Sequence, residues 1–148
     1  MVIYFLLIGA IILLDQLVKF YVVHNVPLDT SYDFIHHVLG IAHIRNYGAA
    51  WNIFTGQRWL LYIITIIALG VLGYLFKKMW TNWMYALGIS FIIGGTIGNF
   101  IDRIRLGYVV DMFQLLFINF PIFNVADIAL NIGVVIFIIA LLRDDNND

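Results

Sequence analysis

Apolar residues run almost unbroken through four stretches of the chain, and polar residues gather between them. The stretches are residues 1–23, 59–76, 84–101 and 125–142, and each of the last three is 18 residues long. As α-helix, 18 residues rise about 27 Å at 1.5 Å per residue, close to a hydrocarbon core of about 30 Å. The pattern therefore predicts four membrane-spanning helices. Three connections join them. Segment 24–58 is long and mixed, segment 77–83 is short and holds Lys77 and Lys78, and segment 102–124 is long and semi-apolar with Pro121 near its end. Within the first connection, HVLGIAHIRN (37–46) alternates in places, which suggests short strands. Such a segment cannot face lipid, because its backbone groups would lack partners, so it is expected to form a small cap outside the bilayer. Trp51, Trp59, Trp80 and Trp83 fall near span ends, where an amphipathic ring fits the interface.

Composition agrees with the pattern. Hydrophobic residues make up 63% of the 148 and charged residues only 11%, with a mean hydropathy of +0.96. Soluble domains carry about 25% charged residues. One integral membrane domain, residues 1–148, is the expected organisation. A net charge of −1 argues against nucleic acid as a partner. The absence of cysteine excludes disulfides, thiol nucleophiles and Cys-ligated metals. The first apolar run lacks a basic leader and a small-residue cleavage site, so it reads as a span and not a cleavable signal peptide.

An even number of spans puts both termini on one side, together with Lys77, Lys78 and Arg143. The positive-inside rule makes that side cytoplasmic, with 77–83 a cytoplasmic loop and 24–58 and 102–124 extracytoplasmic. Arg45, Arg58, Arg103 and Arg105 fall on the opposite side; the double lysine decides the assignment because it sits in the shortest loop.

Two carboxylates stand out against this apolar background. Asp111 lies in YVVDMF and Asp127 in FNVAD, on either side of Pro121, so a tight return could bring them face to face. Paired carboxylates that share a proton can split peptide bonds with water and no cofactor. Asn124 is a good helix N-cap after the Pro121 break. Asp127 then falls in the first helical turn, where the positive helix end favours its ionised form, whereas burial raises the pKa of Asp111. Taken singly, each aspartate also suits a cap or a salt bridge.

Further polar residues accompany them. Asp15 and Lys19 are four apart on the first span and can pair, either as an internal structural pair or as support for the site. NYGAAW (46–51) sets Asn46 beside the small residues Gly48, Ala49 and Ala50, which permit close backbone approach and equally describe a turn. In GGTIGNFIDR (94–103), Gly94 and Gly98 form a small-xxx-small pair that suits close helix packing, while Asn99, Asp102 and Arg103 cluster at the span's end. An interfacial Asp102–Arg103 pair would be the plain account of the two charges. The four histidines, His24, His36, His37 and His43, show no HExxH or regular ligand spacing, so no metal is expected. Neither serine, Ser31 or Ser90, lies in a GxSxG context.

The strings DQLVK, NYGAAW, GGTIGNFIDR, YVVDMF and FNVAD, in that order over nearly the whole chain, together resemble the lipoprotein signal peptidase (signal peptidase II) family of bacterial membrane aspartyl proteases. The resemblance implies four transmembrane helices with an extracytoplasmic β-cradle and a short interfacial helix. It implies a multi-pass protein of the bacterial cytoplasmic membrane, with the active site on the extracytoplasmic face. The implied activity is removal of the signal peptide from diacylglyceryl-modified prolipoproteins, by a cut just before the lipidated cysteine. Asp111 and Asp127 correspond to the catalytic dyad. Asn46, Gly48, Asn99, Arg103, Asn124 and Ala126 fall at substrate-binding positions, and Asp15, Lys19, Gly95 and Asp102 at supporting ones. No cofactor is implied, globomycin is an expected inhibitor, membrane lipid is a partner, and a monomer is expected. Trp51 and Thr96 depart from the residues the family more often has there, which bears on substrate or inhibitor fit and not on the dyad. The competing reading from the residues alone is a small ion- or proton-coupled transporter, since intramembrane carboxylates often mark ion paths. No internal repeat or interrupted pair of helices supports it. A purely structural or assembly subunit would leave the one-sided clustering of polar residues unexplained.

Overall fold

The computed structural model describes residues 1–48 and 53–144. Ala49, Ala50 and Trp51 of the NYGAAW string, and the tail from Asp145, lie outside them. The elements run α1 (Val2–Asn25), β1 (Ser31–Ile35), β2 (Leu39–Asn46), α2 (Arg58–Met79), α3 (Trp83–Leu106), β3 (Val109–Leu115) and α4 (Val125–Asp144). All four helices are long and apolar enough to cross a membrane. Each reaches beyond its apolar stretch, because caps and not hydropathy end a helix. Helix α1 stops where Val26 turns extended (φ −115°, ψ 121°) ahead of Pro27, whose ring disfavours helix at the preceding residue. Helix α3 begins at Asn82, whose side chain accepts from the Met84 N–H at 3.1 Å. It ends at Gly107, whose φ of 80° is the left-handed cap that glycine adopts without a Cβ clash.

Helix α3 is the centre of the bundle and packs against α1, α2 and α4. Its glycines serve two neighbours. A Cβ at Gly94 would meet the Ile11 side chain at 3.0 Å, and one at Gly98 would meet an Asp15 carboxylate oxygen at 2.7 Å, both on α1. A Cβ at Gly95 would run into the Ala126 carbonyl, and Gly88 and Gly133 face each other's carbonyls, so the same helix also closes tightly on α4. By contrast α2 packs chiefly on α3 and keeps Ile63, Ile66 and Ile67 exposed, as suits a lipid-facing helix.

The strands form one antiparallel sheet in the order β1-β2-β3. Strands β1 and β2 fall within the first connection. Strand β3 occupies a stretch that the apolar pattern left without a regular element, although its valines and aromatic suit a pleated surface. It pairs Asn46 with Val109, Arg45 with Val110 and Ile44 with Asp111, across a bulge in β2 between Ile41 and Ile44. That register sets Asn46 close to Asp111. Residues 53–56 form turns before α2.

The antiparallel run of helices brings the second half of α1, the start of α2, the end of α3 and the start of α4 to one end, together with the sheet. Val22, Val26, Val110 and Met112 form the apolar base there. The other end is held by Phe76, Tyr85, Ala86, Ile89 and Ala140.

Candidate active site

The two aspartates come from different kinds of backbone. Asp111 is the third residue of β3, and Asp127 lies in the first turn of α4. Both line one cavity of about 800 Å³, shared with Asn46, Asn99, Arg103 and Asn124. Apolar walls from Phe120, Ile122, Ile128 and Ile132 complete it.

Asn124 ties the pair together. Its side-chain amide donates to Asp111 Oδ1 at 2.7 Å. Its Oδ1 accepts from the Asp127 N–H at 2.9 Å, and its own N–H donates back to Asp127 Oδ2 at 3.1 Å. This reciprocal arrangement is a capping box, so the turn that starts α4 is the same turn that holds Asp127 beside Asp111. Asp127 Oδ1 also accepts from Asn99 Nδ2 at 2.8 Å. Asp111 Oδ2 accepts from Asn46 Nδ2 at 3.0 Å, and Asn46 Oδ1 is itself fixed by the Gly48 N–H at 2.9 Å. Burial pushes the Asp111 carboxyl up to about 7, with the nearby Asp127 carboxylate adding to the shift and the Asn46 and Asn124 amides opposing it.

A buried ion cluster lies behind this layer. Lys19 Nζ reaches Asp15 Oδ2 at 2.9 Å, Asp102 Oδ2 at 3.0 Å and Asn99 Oδ1 at 3.0 Å. Asp15 in turn accepts from the Ala126 N–H at 2.9 Å, and Asp102 from the Val110 N–H at 3.2 Å. The ion cluster is thereby pinned to the backbone of both segments that carry an aspartate of the dyad.

Several placements differ from the sequence expectations. Asp102 does not pair with its neighbour Arg103. Successive helical residues point about 100° apart, so Asp102 faces α1 while Arg103 donates to the Gly48 carbonyl at 3.0 Å and the Asn99 carbonyl at 3.4 Å. Ala126, expected among the substrate-facing residues, is fully buried between α3 and α4 and serves close packing. Gln16 was not anticipated; its amide donates to Asp102 Oδ1 at 2.9 Å and to the Gly98 carbonyl at 3.3 Å. Tyr62 was likewise missed, and its hydroxyl donates to the Arg103 carbonyl at 2.7 Å. Gln16 stands next to Asp15 in DQLVK, a polar pair inside an apolar run, and that was its available signal. Among the described residues no three His, Asp or Glu side chains converge as a metal site.

The family model described as Signal peptidase (SPase) II matches residues 7–143. The chain belongs to the signal peptidase II family. Among members of that family, the lipoprotein signal peptidase of Lactiplantibacillus plantarum is 49% identical over 144 residues, covering 97% of each chain. That of Lactococcus lactis subsp. lactis is 52% identical over 134 residues, covering 90% of this chain and 89% of the relative. A solved bacterial membrane enzyme, obtained by the in meso method at 2.3 Å resolution, superposes with a TM-score of 0.95 at 39% identity. It covers 100% of this chain and 92% of that one. A signal peptidase II fold thus places a multi-pass helical bundle around a paired-carboxylate cavity at one end of its helices.

Proposed function

We propose that this chain is an aspartyl endopeptidase that removes the signal peptide from diacylglyceryl-modified prolipoproteins, cutting just before the lipidated cysteine. The observation that carries the chemistry is the Asn124 bridge, which joins Asp111 and Asp127 in a single cavity. Two adjacent carboxylates share a proton and titrate as a pair. Asp111, which lacks the helix N-terminus that favours the charge of Asp127, is the protonated member. Asp127 removes a proton from the attacking water, while Asp111 donates to the scissile carbonyl oxygen. A tetrahedral intermediate forms; as it collapses, Asp127 passes the proton it took from water to the departing amine and Asp111 regains a proton from the intermediate's hydroxyl. The asparagine amides hold both carboxylates in register.

The site's position supports the substrate class. The cavity lies at the end of the bundle opposite Lys77, Lys78 and Arg143, which by the positive-inside rule supports an extracytoplasmic face, and the bacterial relatives support the bacterial cytoplasmic membrane as the host. An extended signal peptide enters at the outer membrane edge, with its acyl chains against Ile128 and Ile132 and in the surrounding lipid. Asn46 and Arg103 offer donors to its backbone or headgroup oxygens, while the buried Asn124 amide is already committed to Asp111 and Asn99. The same donors and apolar walls suit globomycin. The protein acts as a monomeric single domain. A transporter reading fits less well, because Asp111 stands on a strand outside the spans and not along a mid-membrane path.

The test is co-expression with a lipidated prolipoprotein. Asp111→Asn and Asp127→Asn should each accumulate in the membrane and leave the precursor uncut, a loss of about 10³-fold or more. Normal cleavage by either variant would defeat the assignment. Arg103→Ala should weaken globomycin binding; unchanged affinity in the folded variant would remove that role.

A further inference from the structure

The directions of the hydrogen bonds around the dyad have a common form. Asn46, Asn99 and Asn124 each turn the NH₂ of their amide toward an aspartate. Each therefore needs a donor on its carbonyl side to keep the amide from rotating by half a turn. For Asn46 that donor is the Gly48 N–H, and for Asn124 it is the Asp127 N–H. Both are backbone groups, fixed by the fold. For Asn99 the carbonyl oxygen instead meets Lys19 Nζ at 3.0 Å and Asn124 Nδ2 at 3.0 Å.

An ammonium has three donors and no acceptor. A rotated Asn99 would present its NH₂ to two donors and its carbonyl oxygen to the Asp127 carboxylate, an arrangement repulsive on both sides. Lys19 is itself immobile: it is buried, and Asp15 and Asp102 take its other two protons. We infer that Lys19 is a positioning residue, the charged donor that works with the Asn124 amide to hold the Asn99 carbonyl and so orient its NH₂ toward Asp127. It makes no hydrogen bond to Asp111 or Asp127, and beyond the field of its charge on the pair its contact with the site runs through Asn99. This assignment rests on the peptidase reading above.

The charge and the hydrogen bond of Lys19 can be separated. In an Asp15→Asn background, replacing Lys19 by Met or by Gln leaves the cluster with the same net charge as the wild type, because one cation and one anion are removed together. Gln retains a donor for Asn99 Oδ1, and Met does not. Purified full-length protein with a lipidated prolipoprotein should show kcat lowered by about 30-fold in Asp15→Asn/Lys19→Met, the scale of one lost partner in a buried network. KM should stay within about twofold. Asp15→Asn/Lys19→Gln should regain about tenfold of that kcat at a similar thermal midpoint. Equal kcat in the two double variants, or a difference that merely follows their thermal midpoints, would overturn the inference.

Hydrogen exchange at the Asn99 side-chain amide, followed by NMR, needs no substrate. It therefore separates failure of this inference from failure of the peptidase reading, which the Asp127→Asn comparison decides. Slow exchange is expected in the wild type and the Gln variant, with exchange about tenfold faster in the Met variant. An unprotected Asn99 amide in the wild type would also overturn the assignment.

Discussion

The two ends of the helical bundle are built on different physics. At the Lys77–Lys78 end, Phe76, Tyr85, Ala86, Ile89 and Ala140 fit together by shape, with Tyr85 set edge-on to Phe137 at 5.3 Å between ring centroids. Such contacts are individually weak and non-directional, and a neighbour can shift by a few tenths of an ångström to accommodate change. At the other end Lys19, Asp15, Asp102 and three asparagines are joined by donors and acceptors that each have one compatible arrangement. In that network a single lost partner leaves a buried polar group unpaired, which costs about 1–3 kcal/mol. The comparison teaches that the apolar end can lose stability with little effect on activity, whereas a substitution at the polar end costs both together.

The sharpest way to break that comparison is at Asn124, which serves both the α4 cap and Asp111. Asn124→Ala should lower kcat by about 10²-fold and also lower the thermal midpoint, since an N-cap is worth about 1 kcal/mol. A fully active variant would show that the asparagine bridge is dispensable. Next comes the seam between the ends. Gly95→Val would drive a side chain into the Ala126 carbonyl, at a cost of about 3 kcal/mol or more, visible as loss of folded protein in detergent. At the apolar end, Ile89→Ala should cost about 2 kcal/mol yet leave kcat/KM of the folded fraction unchanged. A selective loss of activity there would mean the two ends are coupled.

Two further effects concern protons and lipid. Because Asp111 binds its proton more tightly in the folded protein (pKa raised from 3.8 to about 7), its contribution to stability falls as pH rises through that window and is level above it. Asp111→Asn should therefore gain thermal midpoint relative to the wild type between those pH values and hold the gain above about 7. Wild-type kcat/KM should decline on the alkaline side as Asp111 loses the proton it donates. A midpoint difference independent of pH would contradict the shift. On the lipid-facing surface, Leu13→Val, at an exposed position of α1, should change stability by no more than about 0.5 kcal/mol.

Much of this was legible in the sequence because the bilayer imposes a simple rule. Four apolar stretches of spanning length can hardly be anything but helices when every backbone group must be satisfied internally. Polar residues inside such stretches are expensive enough to mark themselves, which is why Asp15, Lys19, Asn99 and Asp127 stood out, and Asp102 and Asp111 stood out in the semi-apolar connection that follows the third. Strand β3 was harder to read: its apolar run looks the same whether it packs as strand or helix, and only pairing with β2 decides. Ala126 shows the converse limit. Its neighbours in FNVAD suggested a substrate contact, yet its small size is used to bring α4 against Gly95 and Gly98.

By itself the sequence determined the four spans, the pair of aspartates and the clustering of polar residues toward one end, because these follow from hydrophobic length and from the cost of burying charge. The tertiary structure alone decided which partners those charges take. It turned Asp102 away from Arg103 toward Lys19, set Asn46 beside Asp111 through strand register, and made Asn124 both helix cap and bridge. Hydrogen-bond partners depend on atoms brought together from distant parts of the chain at about 3 Å, and no local pattern carries that information.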